Sequence, residues 1–289
     1  MRDSAPHISY AASAGTIGAR AAIRMIEHIT GRQRLLRRLD ARQVGSAQGH
    51  AFWRDTMDAF GLHLDLRRGC LENIPETGPL VLVSNHPYGI LDGLVMGYLL
   101  SGTRRDFRIL AHQAFRQAPQ VSGCILPIDF SGTRAALDAN LQTRADALRY
   151  LSGGGAIGIF PGGTVSTAPT PFTRPSDPAW RGFSARLIQR SRATVVPVWF
   201  DGHNSRLFQV ASHLNYTLRM ALLIREFRTR IDRPVRMAIG QPIGPETLAR
   251  HSGNAKELLD FLRAATYQLA EERLDPTHLG YEFEAAYRN

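Results

Sequence analysis

Lysine is almost missing from this chain of 289 residues: among 35 basic residues only Lys256 is a lysine. Cysteine is nearly as scarce, with Cys70 and Cys124 standing far apart. Two such cysteines have no metal-ligand spacing and offer at most one disulfide, so they point to reduced thiols in a cytoplasmic protein. No uncharged apolar run approaches the roughly 20 residues that a spanning helix needs. The opening stretch lacks the basic-then-apolar order of a secretory signal, which again makes the cytoplasm the expected compartment. Acid is outnumbered, and the balance leaves a net charge of +10. That excess suits either nucleic acid or the anionic face of a membrane. Neither a nucleic-acid-binding motif nor a basic stripe interleaved with aromatics is present, so no nucleic acid partner is expected. A G-x-S-x-G elbow is absent too, which argues against a serine hydrolase.

What is present is the composition of a folded protein, 44% hydrophobic and 21% charged, sized for one large domain or a domain with a helical extension. Residues 1–78 read as an N-terminal helical extension. Within it, Ala19–Leu39 sets Ile23, Ile26 and Ile29 along one face, with Arg20, Arg24, Arg32, Arg34, Arg37 and Arg38 around them. Such a basic amphipathic helix fits a lipid interface, and equally a helix docked on the main domain. From Pro79 the pattern changes. Short β-branched runs at Leu80–Ser84, Phe107–Ala111, Ile125–Asp129, Ala156–Phe160, Thr194–Phe200 and Val235–Ile239 alternate with helical patterns at 92–101, 134–152, 179–191 and 206–228. Residues 79–289 are therefore expected to form an α/β domain, a mostly parallel central sheet flanked by helices.

Three blocks carry chemistry. In the first, Val81–Gly97, a buried-type strand exits through Asn85-His86-Pro87, and Asp92 stands where the next helix begins. In open α/β sheets ligands gather at the carboxyl ends of the strands. A neutral imidazole there can take a hydroxyl proton, and a carboxylate on its other nitrogen fixes the tautomer. The plain alternative for Asp92 is a helix N-cap. The second block is a glycine loop leaving a strand, Phe160-Pro161-Gly162-Gly163-Thr164-Val165-Ser166, able to present backbone N–H groups. Upstream of it, Gly153, Gly155 and Gly158 match the dinucleotide fingerprint only in spacing. A helix precedes them and a strand follows, the reverse of the order that motif needs, so no nucleotide cofactor is expected. The third block is Val195–Val198, whose proline suggests a strand that bends or ends, followed by Asn204, Ser205 and Arg206. Asn204 or Ser205 also suits a helix N-cap.

These blocks, in this order, resemble the lysophospholipid acyltransferase (PlsC-like glycerolipid acyltransferase) family over about residues 79–243. The resemblance implies acyl transfer from acyl-carrier protein or acyl-CoA to a lipid hydroxyl, without cofactor or metal, and assigns His86 as general base and Asp92 as its partner. It departs from the family pattern in three ways. His86 and Asp92 are one residue further apart than usual. Gly162 and Val165 stand where the family has Glu and Arg, and Asp129 stands near the usual Arg of the block around Gly123–Asp129. Those arginines bind a phosphate in the family, so the resemblance implies an acceptor other than a simple phosphate monoester. The variant blocks Asn85–Gly93, Phe160–Ser166 and Gly202–Phe208 are similar to a branch that includes proteins labelled hemolysins and the acyltransferases of bacterial ornithine-lipid synthesis.

The expected activity is thus acylation of a lyso-lipid, with lyso-ornithine lipid as one acceptor, by an enzyme peripheral to an anionic inner-membrane surface. His86 and Asp92 are the catalytic candidates. Asn85, Phe160, Pro161, Gly162, Gly163, Thr164, Ser166, Asn204, Ser205 and Arg206 are the substrate-binding candidates, with Arg206 standing in for a missing arginine. The competing readings are a non-catalytic lipid-binding or hemolysin-like protein and an acyl-thioester hydrolase.

Overall fold

The computed structural model describes residues 16–42, 44, 47–113, 115, 119–129 and 133–283. The leaderless reading of the N-terminus falls mostly on residues 1–15, outside that set. Three helices, α1 (Ile17–Thr30), α2 (Arg32–Ala41) and α3 (Gly49–Ala59), precede strand β1 (His63–Arg68). The chain then runs through β2 (Leu80–Ser84), α4 (Ile90–Thr103), β3 (Arg108–His112), the short α5 (Pro119–Ser122), β4 (Ile125–Ile128), α6 (Arg134–Ser152) and β5 (Ala156–Ile159). It continues with α7 (Gly182–Ser191), β6 (Thr194–Phe200), α8 (Arg206–Leu214), α9 (Tyr216–Arg228), β7 (Pro234–Ile239), α10 (Pro245–Arg250) and α11 (Ala255–Tyr267).

The strands form a seven-stranded sheet in the order β1-β7-β6-β2-β5-β3-β4. Strands β6, β2, β5, β3 and β4 are parallel; β7 runs antiparallel to β6, and β1 lies parallel to β7 at the edge. The fold is α/β with a mostly parallel sheet between helices. β2 is its middle strand, buried along its whole length because β5 and β6 flank it and helices cover both faces. The two-residue period of a strand divides its side chains between two cores. Leu80 and Leu82 join the core that α3 and α4 cover, while Val81 and Val83 join the core of α7 and α11. Each fully buried side chain of this kind contributes about 1.5–3 kcal/mol.

Several expectations need correction. Residues 1–78 are not all helical: His63–Arg68 is a strand, and α3 buries Phe52, Trp53 and Met57 in the main core. Sheet and core therefore extend across the boundary drawn at residue 78. The amphipathic stretch Ala19–Leu39 is two helices broken at Gly31, whose φ of +112° suits glycine. Ile29 leaves the face that Ile23 and Ile26 share, since six helical residues set it about 120° from Ile23. Ile23 is buried against α9 whereas Ile29 is 73% exposed. The helix expected at 206–228 breaks at Asn215, an extended residue whose side chain caps α9 by accepting from the N–H groups of Thr217 and Leu218. Strand β6 neither ends nor bends away at Pro197; it runs on to Phe200, and its antiparallel pairing with β7 covers Val198–Phe200. No described helix is long and apolar enough to cross a membrane.

Candidate active site

The buried strand β2 delivers Asn85-His86-Pro87 at its carboxyl end, and the turn through Tyr88 and Gly89 leads into α4. His86 Nδ1 lies 2.9 Å from Asp92 Oδ2. With the proton on Nδ1, the imidazole donates to the carboxylate and Nε2 keeps its lone pair. Nε2 has no partner among the described residues. The same Oδ2 accepts the backbone N–H groups of Tyr88 at 2.8 Å and Gly89 at 2.9 Å. Asp92 is the third residue of α4 and Gly89 its N-cap, so one carboxylate satisfies the first turn and holds the imidazole. The cap reading and the histidine reading both describe it, with Asp92 inside the helix rather than before it. Gly89 makes the wider spacing possible. At a φ of +88° it turns the chain tightly, and a Cβ there would press on Val165 and Leu223 at 3.1–3.2 Å. Asp92 is fully buried, and burial pushes its pKa above the usual carboxylate value, against the pull of His86 and the two N–H groups.

The loop after β5 closes over this pair. The Phe160 ring stacks on the His86 ring, with centroids 4.1 Å apart and planes 20° from parallel. Gly163 N–H donates to Phe160 O at 2.9 Å, closing a turn around Pro161 and Gly162. That N–H is therefore not available to a ligand. The N–H groups of Gly162, Thr164 and Val165 have no partner among the described residues. At the loop's exit, Ser166 N–H donates to the carbonyl of His86 at 2.7 Å.

Two buried charges hold the loop from outside the expected set. Asp177 Oδ1 accepts His86 N–H at 3.1 Å and the Ser166 hydroxyl at 2.5 Å, and its Oδ2 accepts Trp180 Nε1–H at 3.0 Å. Arg219, on α9, donates to Thr164 Oγ1 at 3.1 Å, Val165 O at 2.7 Å, Thr167 Oγ1 at 2.5 Å and Ser212 Oγ at 2.9 Å. Sequence reasoning missed both. The only local cue to Asp177 is its place before a proline after the loop 169–175, and nothing in α9 singles out one arginine.

Other expected residues are placed differently. Asn85 does not face a ligand: its amide donates to Phe200 O and its carbonyl accepts Phe200 N–H, both at 2.8 Å, extending the β2–β6 pairing by one residue. Ser205 is the N-cap of α8, and its hydroxyl and N–H both donate to the buried Glu226. Asn204 is buried, with its amide 3.5 Å from Tyr88 O. Arg206 is exposed and donates to the carbonyls of Pro171 and Thr173, holding the proline-rich loop rather than reaching the glycine loop. His86, Asp92, Phe160–Thr164 and Ser166 thus come together. Asn85, Asn204, Ser205 and Arg206 turn their polar groups to other parts of the protein. In the block around Gly123–Asp129, Asn140 clasps the backbone N–H and carbonyl of Asp129.

A parallel sheet carrying a histidine–carboxylate pair beside a glycine loop is a centre fit to take a proton from a hydroxyl, and comparison with known proteins narrows the reaction it serves. The acyltransferase family model matches residues 67–201, from β1 to just past β6, taking in both His86–Asp92 and the glycine loop. Residues 67–201 are thus an acyltransferase domain. Among curated proteins the chain is similar to a lyso-glycine lipid O-acyltransferase of Phocaeicola vulgatus, 27% identical over 69% of this chain and 71% of that protein. A protein of the same name from Bacteroides thetaiotaomicron is 25% identical over 69% of this chain and 73% of its own length. Among solved structures, the 1-acyl-sn-glycerophosphate acyltransferase PlsC of Thermotoga maritima aligns with a TM-score of 0.48 and 17% identity over 76% of each chain.

Proposed function

We propose that this acyltransferase moves a fatty acyl group from a thioester, acyl-carrier protein or acyl-CoA, to the hydroxyl of a lyso-lipid whose head group is an amino acid, glycine or ornithine, at an anionic membrane surface. The observation that carries the chemistry is the 2.9 Å contact of His86 Nδ1 with Asp92, which leaves Nε2 as a free base beside the glycine loop. His86 Nε2 takes the proton of the acceptor hydroxyl while Asp92 holds the ring and stabilises the imidazolium. The acceptor oxygen attacks the thioester carbonyl, and N–H groups of Gly162 and Thr164 receive the tetrahedral oxyanion. The intermediate collapses by breaking the C–S bond, and the imidazolium returns its proton to the departing thiolate. Acyl ester and free thiol are the products, and no acyl-enzyme is needed.

The acceptor class is supported by the names of both curated relatives and by Gly162 and Val165, which remove the family's charged side chains from the loop. The test is an acyl-transfer assay of the full chain with both donors against lyso-glycine lipid, lyso-ornithine lipid and lysophosphatidate. An amino-acid lyso-lipid is expected to be acylated fastest. Lysophosphatidate turning over equally fast would overturn the acceptor assignment. His86→Ala is expected to lower kcat by about 10³-fold or more with the fold kept, and wild-type turnover by that variant would remove His86 from the mechanism. Release of free fatty acid at the same rate with or without acceptor would favour a hydrolase instead.

A further inference from the structure

We propose that Arg219 is a positioning residue for acyl transfer, one that pins the glycine loop to His86 and places an uncompensated positive charge behind the loop's N–H groups. The inference rests on the acyl-transfer reading and deepens it. Arg219 is fully buried, yet no carboxylate lies within ion-pair distance of it among the described residues. Its polar contacts are all neutral: the hydroxyls of Thr164, Thr167 and Ser212 and the carbonyl of Val165. The Phe208 and Phe283 rings lie 4.9 and 4.2 Å from the guanidinium carbon and complete its surroundings.

A buried charge normally finds a counter-charge, because desolvation costs several kcal/mol. Here hydroxyl dipoles, one carbonyl and two ring faces substitute for one. Burial lowers the Arg219 pKa to about 9, so the side chain stays cationic at neutral pH. Its position is specific. The Val165–Ser166 peptide is gripped at both ends: the carbonyl accepts from Arg219 at 2.7 Å, and the N–H donates to His86 O at 2.7 Å. A single peptide plane therefore links the guanidinium to the main chain of the base. The contact to Thr164 Oγ1 fixes the residue whose own N–H is unpaired. An anion formed at that N–H is the counter-charge that the resting site lacks. The side chain comes from α9, beyond the 67–201 segment that matches the family model, and takes up the loop where Val165 offers no charge of its own.

The test compares Arg219→Gln and Arg219→Lys with wild type in the full chain, using steady-state kinetics with the best acceptor and far-UV circular dichroism as the fold control. Gln removes the charge and should lower kcat by about 30- to 100-fold while KM for donor and acceptor changes less than about threefold. Lys keeps the charge but cannot grip Thr164, Val165 and Thr167 together, so it should lose about tenfold in kcat. A folded Gln variant with kcat within about threefold of wild type, or one that raises KM alone, would overturn the proposal. If the Gln variant does not fold, wild-type kcat in the Lys variant overturns it. Wild type transferring no acyl group to any lyso-lipid would instead overturn the functional reading, and the role of Arg219 with it.

Discussion

Oδ2 of Asp92 accepts three hydrogen bonds, from His86, Tyr88 and Gly89, while its Oδ1 is buried without a partner among the described residues. This lopsided arrangement sets function against stability. Burial raises the folded-state pKa above the unfolded one, so the protonated acid is the form that folding favours. Its contribution to stability is present below the unfolded pKa and is lost as pH rises through the folded one. At neutral pH the ionised group is therefore a cost that the site bears for the imidazole. Asp92→Asn should leave the thermal midpoint at neutral pH equal to or above that of wild type. Its amide can donate to Nδ1 and so place the imidazole proton on Nε2, which should lower kcat on the order of 10³-fold. A clear fall in the midpoint would contradict the stability half of this account. Asp177 is the opposite case, since Asp177→Ala strands the His86 N–H, the Ser166 hydroxyl and the Trp180 N–H together. Each orphaned buried donor costs about 1–3 kcal/mol, so urea unfolding should show a loss of roughly 3–5 kcal/mol, and a loss below about 1 kcal/mol would contradict its assigned role. His86 and Asp92 were legible because they lie on one short local block. Asp177 and Arg219 were not: they meet the site across 91 and 52 residues of chain, and only the folded sheet brings them there.

At the scale of elements, what could be read from the sequence follows burial. The parallel strands showed as β-branched runs because both faces of the sheet are covered. β1 carries His63, Asp65, Arg67 and Arg68 on an edge that water reaches, so only Leu64 and Leu66 mark it and no apolar run shows. The breaks at Gly31 and Asn215 interrupt otherwise continuous helical patterns with a single residue each, too little to outweigh the periodicity on either side. Asn85 shows how a motif position can be structural. Its side chain carries the β2–β6 pairing past the last strand residue and so aims the exit that holds His86. Asn85→Ala should lower stability by about 2–3 kcal/mol through two lost buried hydrogen bonds. Its KM for the acceptor should stay near wild type. A raised KM with unchanged stability would return Asn85 to the substrate contacts.

At the scale of the whole molecule, part of the positive charge lies on the helices that back the glycine loop. α1 packs on α9, and α8 packs on α9 beside it. In these three helices the only acids are Glu27 and Glu226, and both are buried, so the charge they expose is positive: Arg20, Arg24 and Arg206. The same helices expose Ile17, Met25, Ile29, Leu207 and Leu214, and the loop held by Arg206 carries Phe172 at 79% exposure. Their inner side meets the glycine loop, since Ile23, Phe208 and Leu223 share a core with Val165. Exposed apolar and cationic side chains on the elements that back the site fit the contact with an anionic bilayer proposed above. Binding to vesicles containing an acidic phospholipid should weaken between ~0.1 M and ~0.5 M salt, because screening removes the coulombic share and leaves the apolar one. Vesicles of a zwitterionic lipid alone should bind weakly at either salt. Replacing Ile29 and Leu214 together by Glu should reduce vesicle binding at least about tenfold, by reversing local charge and removing apolar contact at once. Turnover of an acceptor dispersed below its aggregation limit should stay near wild type in that variant. Equal vesicle binding by the double variant and wild type would place the membrane contact on another face of the molecule.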